Sequence, residues 1–178
     1  MLFLLFQLGN DRYALEANRV VEVVPLLSLK QIPTAAKGVA GMFVYRGRAI
    51  PALDLCDLTM GRPARERLST RIIIIEAGSS SSAFPAPCLL GLIAERATEM
   101  LQRDARDFVQ VEVPSAKYHV PGSLTSDPSH IAPWLGPVLI DDRGVIQLLH
   151  AQKLLAENVR DLVFAATEDK TEGGKAES

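Results

Sequence analysis

The sequence predicts a mainly β protein made of two similar small β units followed by one short helix. Three observations carry this reading. Short apolar runs, many of them β-branched, alternate with Gly, Asn, Asp and Pro clusters along most of the chain. Helical spacing occurs in one place, 151–164, where Leu154, Leu155, Leu162 and Val163 form a stripe. Finally, the pattern of residues 13–24 recurs further along the chain.

Residues 2–8 (LFLLFQL) form the first strand and stop at Gly9-Asn10-Asp11, after which 12–16 (RYALE) resumes as the second arm of a hairpin. Val20–Val24 is β-branched with one charge, and Pro25 ends it. Strands at 42–45 and 48–55 face each other across Arg46-Gly47. Pro51 lacks a ladder donor and so implies an edge strand or a bulge. In this reading Asp57 caps a helical turn at 57–60. The run 71–76 (RIIIIE) is a strand buried on both faces. The loop 78–87 (GSSSSAFPAP) leads to a strand at 88–95, and strands at 138–141 and 144–149 pair about Asp142-Arg143-Gly144.

The repeat places Leu15 over Leu92, Ala17 over Ala94, Arg19 over Arg96 and Glu22 over Glu99, 77 positions on. Arg46-Gly47 matches Arg143-Gly144 at a shift of 97, so the second half holds about 20 extra residues (97 − 77), supplied by the Pro- and Ser-rich insertion 114–133. This gives barrel one at about 1–70, barrel two at about 71–150, a helix at 151–164 and a disordered polar tail at 165–178.

Composition narrows the function. The chain has 178 residues, about one ordinary domain, with 48% hydrophobic and 22% charged residues. A formal charge of −2 provides no field for holding nucleic acid or anionic lipid. The apolar start is too short for a signal peptide and has no basic flank, and no stretch reaches the ~20 apolar residues of a membrane span. Cys56 and Cys88 are two isolated cysteines of a reducing compartment, so a cytoplasmic protein is expected.

None of the common metal, nucleophile or phosphate-binding signatures occurs. His119, His130 and His150 have no ligand spacing, and Gly38-Val39-Ala40-Gly41 fits a nucleic-acid clamp only by four letters. Asp104 and Asp107 alternate with Arg103 and Arg106 as a solvated face. No metal, cofactor or catalytic residue is expected. The alternatives are a small nucleic-acid-binding β-barrel, or an enzyme using the Asp54/Asp57 region or the insertion. What remains is the Arg46-Gly47 turn, preceded by apolar Met42, Phe43, Val44 and Tyr45. Arginine beside apolar surface is how a protein-recognition site is built.

The segments FxLGxxxYALxxxxVxEVV at 6–24, GxxxYRGxxIPxLDL at 41–55, LLGLIAERATEML at 89–101 and WLGPVLIDDRGVIQLLHAQKLL at 134–155 together resemble the CheW-like adaptor family of bacterial chemosensory systems. The resemblance covers about 1–158, a single domain. It implies two five-stranded β-barrels side by side and a non-catalytic scaffold, recruited from the cytoplasm to membrane receptor arrays. Its partners there are the cytoplasmic hairpin of a methyl-accepting chemoreceptor and the regulatory domain of a CheA-type histidine kinase. By matched position it assigns partner binding to Arg46 and Gly47 (the family's Asn-Leu-Arg-Gly turn), to Gly41 ahead of it, and to Val20 and Glu22 of a Val-x-Glu pattern. Val44-Tyr45 replaces the usual Asn-Leu and adds Tyr45 to the set. This departure, with His150-Ala151 and the long insertion, suits an alternative pathway of the Wsp-like kind.

Overall fold

The structure is a computed structural model that describes residues 1–33, 35, 37–78, 88–110 and 134–154. Among the described residues nine strands run in chain order: β1 (Leu2–Leu8), β2 (Asp11–Glu16), β3 (Val20–Pro25), β4 (Val39–Tyr45), β5 (Arg48–Asp54), β6 (Arg71–Gly78), β7 (Cys88–Gln102), β8 (Leu135–Asp141) and β9 (Gly144–Leu149). A short helix, α1 (Leu55–Met60), follows β5, and 3-10 turns occupy Ala17–Arg19, Ala105–Asp107 and Ala151–Lys153. Each strand predicted from the sequence is present.

The strand expected at 88–95 continues to Gln102. Arg96 takes a left-handed φ of 48°, and the register against β1 shifts between Leu5/Glu99 and Gln7/Glu95, so the strand turns a corner without ending. Its first part pairs with β5 and β6, its last part with β1. Two groups of five therefore share it: β3, β4, β5 and β6 with the start of β7, and β1, β2, β8 and β9 with its end. Isolated bridges, Lys30 to Met42 and Val109 to Val138, bring the chain leaving β3 and β7 back onto β4 and β8. Each group thus returns on itself, as the expected barrels require.

The division at 70/71 does not describe these groups. Pairings β1–β7 and β2–β9 join the first and second halves, as do β3–β6 and β5–β7. Equivalent pairings recur in the two groups. Leu5 opposite Ala14 is matched by Ile74 opposite Gly91, and Ala14 beside Leu148 is matched by Ala52 beside Gly91. The two halves have exchanged strands, which a similarity along the sequence does not reveal.

Packing explains why residues 71–76 are so apolar. Ile73 and Ile75 enter the core between the two groups, with Leu4, Phe6, Leu8 and Leu92. Ile72 and Ile74 enter the core of their own group, with Phe43, Ile50 and Ile93. A strand alternates its side chains between faces, and both faces of β6 are covered. In β1, Phe3 and Leu5 turn the other way into a third core with Phe108, Ile146 and Leu148. Pro51 stands opposite Met42, whose N–H and C=O bond Lys30, so the missing proline donor costs that ladder nothing.

The cap of the short helix differs from expectation. Asp54 receives N–H bonds from Cys56 (2.9 Å) and Asp57 (3.1 Å), and the helix begins at Leu55. Asp57 instead accepts the N–H of Gly38 at 2.9 Å. Asp54 sits between two leucines and reads as strand interior, which hid its capping role. Of the helix expected at 151–164, the described part is a 3-10 turn whose start has no side-chain cap, followed by buried Leu154. Residues 155–164, the insertion 114–133 with His119 and His130, the tail 165–178 and most of the 78–87 loop lie outside the described residues.

Candidate partner-binding site

The β4–β5 hairpin has a two-residue turn in which both Arg46 (φ 48°) and Gly47 (φ 76°) are left-handed. Such a turn matches the twist of its flanking strands but favours Asn-Gly or Gly-Gly, because a Cβ is strained at positive φ. Gly47 fits at no cost, with nothing within 4 Å of where a Cβ would stand. Arg46 carries the strain.

Around this turn the structure assembles three of the expected residues. The Tyr45 hydroxyl donates to Glu22 Oε2, and Arg46 Nη2 reaches the same oxygen at 2.9 Å. The Arg46 guanidinium also lies 5.0 Å from the centre of the Tyr45 ring. The bond to Glu22 pushes the Tyr45 phenol above its ordinary pKa. The Arg46 side chain remains 73% exposed, and an exposed ion pair holds by only about 0.2–1 kcal/mol. The arginine is therefore steered and still available to an outside carboxylate.

Val20 is half-buried, packed on the central core two residues before Glu22 and paired with Ile75. Gly41 is different. It is buried with φ 141°, and a Cβ there would meet the Lys30 carbonyl oxygen at 2.5 Å. Its place is explained by the close passage of the 26–32 segment. Of the apolar run before the turn, Phe43 is core and Met42 half-buried, so Val44, 71% exposed, is the side chain that faces solvent.

The repeat supplies a counterpart that the candidate set omits. Arg143, in the β8–β9 turn, reaches Glu99 at 3.4 Å. Beside it Ile140 and Val145 face each other across the hairpin, both well exposed. Glu99 is the repeat partner of Glu22. The two arginines are one residue out of step, because Tyr45 pairs with Arg48 where Asp141 pairs with Gly144. The structural shift of this hairpin is thus 96 (141 − 45), against 97 from the letters. The signal was present in the sequence as two matches that had not been joined.

Among the described residues no group of three or more metal-binding side chains lies together, and no helix is long and apolar enough to cross a membrane.

The model of the CheW-like domain matches residues 2–159 of this sequence. The chain belongs to the CheW-like domain family. Protein FrzA of Myxococcus xanthus is 29% identical over 90 residues, a match covering 51% of this chain and 56% of that protein. The chain thus matches a little over half the length of this relative. The crystal structure of scaffolding protein TtCheW from Thermoanaerobacter tengcongensis shares the fold, with a TM-score of 0.62 at 22% identity over 83% of this chain and 82% of that one. The CheW-like assignment agrees with the mainly β architecture, and the Arg46 turn lies within the matched region.

Proposed function

We propose that this protein is a non-catalytic adaptor that couples methyl-accepting receptors to a CheA-type histidine kinase in a chemosensory array. One observation supports the reading most: two hairpin tips, one on each five-stranded group, each present an exposed arginine tied to a glutamate beside an exposed apolar side chain. Two such faces on one domain suit a protein that bridges partners. The relative TtCheW is itself named a scaffolding protein. The job is a coupling free energy between contacts: signal passes when receptor states differ in how well they favour the active kinase arrangement. Modest contacts, summed over many copies, hold the lattice. In this reading Arg46 and Glu22, with Tyr45 positioning them, contact the partner, Gly47 allows the turn, and Val20 and Gly41 seat the strands beneath. The protein works in the cytoplasm, at the receptor arrays.

The test is purification of the tagged protein from its own cells, with mass spectrometry of what accompanies it. A CheA-type kinase and a methyl-accepting receptor are the expected company, and the receptor names the pathway. Recovery of neither, with nucleic acid or a small ligand instead, overturns the proposal. Arg46→Glu should keep the fold and weaken kinase coupling; unchanged coupling removes Arg46 from the site.

A further inference from the structure

The corner of β7 and the loop that enters β6 meet in one place. Arg71, at the start of β6, pairs with Ala94, and β7 then turns through Glu95 and the left-handed Arg96. The loop is fixed there by the three buried polar side chains among the described residues, Asp54, Thr70 and Glu95. Asp54 accepts the N–H of Ala64 at 2.8 Å, and Glu95 accepts the N–H of Arg65 at 2.9 Å and Nη1 of Arg62 at 3.1 Å. Thr70 donates its hydroxyl to the Arg65 carbonyl at 2.6 Å and its N–H to the Arg67 carbonyl at 2.9 Å. Arg71 closes the loop by donating to the Leu68 carbonyl. At its tip stands Leu68, 95% exposed.

The result is a basic surface on a chain of net charge −2. Arg65, Arg67 and Arg96 are exposed and Arg71 half-buried. Among the described residues no salt bridge neutralises any of the four. Glu95 is already engaged with Arg62, and Glu66 is the exposed acid of the loop. Arg96 adds a second sign. The two non-glycine residues of left-handed φ among the described residues are both exposed arginines at 48°, Arg46 on the first hairpin tip and Arg96 here. Glycine would relax either position, and strain of this kind gathers at functional sites.

We propose that this loop and corner form a docking face for an acidic segment of a partner protein, whose carboxylates meet the arginines and whose apolar side chains seat Leu68. Arginines around one apolar anchor are the make-up of a protein-binding hot spot. A loop already held in shape loses little freedom on docking. A nucleic acid fits less well, because its phosphates meet Glu66 and leave Leu68 unmatched. A lipid surface fits less well because one leucine is too little to hold a membrane.

Heteronuclear NMR of the full chain, titrated with a short synthetic peptide of glutamates around one leucine, tests the proposal. It needs no receptor or kinase, so its outcome is independent of the adaptor reading. Amide shifts confined to 61–71 and the neighbours of Arg96 are expected, with a dissociation constant below ~1 mM that rises with salt. Arg67→Glu and Leu68→Asp should each weaken binding about tenfold, and Arg96→Gly about threefold. Leu68 is almost wholly exposed and glycine relaxes the corner, so Leu68→Asp and Arg96→Gly should melt close to the parent. No binding up to ~1 mM, shifts centred elsewhere, or indifference to all three substitutions overturns the proposal. So does equal binding of a peptide without the leucine, or tighter binding of a DNA duplex or of phosphatidylglycerol vesicles.

Discussion

Arg12 clasps Asp141 with both prongs of its guanidinium, Nη1 at 2.7 Å and Nη2 at 2.9 Å from the two carboxylate oxygens. The pair is largely buried and ties β2 to the tip of the β8–β9 hairpin. The Arg12 bonds, helped by the N–H of Arg143, hold the Asp141 carboxyl at about 2, against an ordinary 3.8. The folded value lies below the unfolded one, so the stabilisation is complete above the ordinary value and drains away as pH falls through about 2. Asp141→Asn should lower unfolding stability by about 2 kcal/mol at neutral pH. It should also flatten the acid limb of a stability–pH curve measured in urea. An unchanged acid limb would assign that limb to other carboxylates.

At the hairpin tip, stability and function should pull apart. Arg46 is left-handed with φ 48°, where asparagine is better tolerated. Arg46→Asn should therefore raise stability by about 0.5–1 kcal/mol, after allowing for the weak Glu22 pair it removes, while reducing kinase coupling. Thermal melting beside a reconstituted kinase assay reads both. A variant that is less stable would show that the Glu22–Tyr45–Arg46 cluster outweighs the strain.

Gly41 should behave in the opposite way to Arg46. A Cβ 2.5 Å from the Lys30 carbonyl oxygen forces backbone to move, and φ 141° strains any other residue. Gly41→Ala should cost about 1–3 kcal/mol and leave coupling per folded molecule unchanged. Normal stability with lost coupling would return Gly41 to the partner surface.

Cys56 lies fully buried at the start of α1, and burial, with the nearby charges of Glu95 and Asp54, pushes its thiol up to about 12. Thiolate is the reactive form. In a Cys88→Ser background a disulfide reagent should find no reactive thiol until denaturant is added. Rapid native labelling would mean that the α1 region opens readily.

The parts of the fold legible in the sequence were those written locally. The Arg46-Gly47 turn between two apolar runs located β4 and β5, and four consecutive isoleucines located β6. The second half of β7 was hidden because ERATEMLQ mixes charge with apolar residues and bends at Arg96 instead of stopping. Glu22, Tyr45 and Arg46 could each be named from matched positions, yet their sharing of one carboxylate oxygen depends on a contact across 23–24 positions. The roles of Asp54, Thr70 and Glu95 were out of reach for the same reason: a buried polar group announces itself only through what folds over it.

The exchange of strands between halves bears on how the chain reaches this shape. β1 needs the end of β7 beside it, β2 needs β9, and β5 needs the start of β7. A nascent chain emerging from the ribosome cannot close the first group until Cys88–Gln102 is made, nor the second until Gly144–Leu149 is made. Early hairpins must then wait with open edges, and such edges invite wrong pairing. The same wiring leaves no half that can melt by itself, so acquisition of the native state should be slow, late and all-or-none.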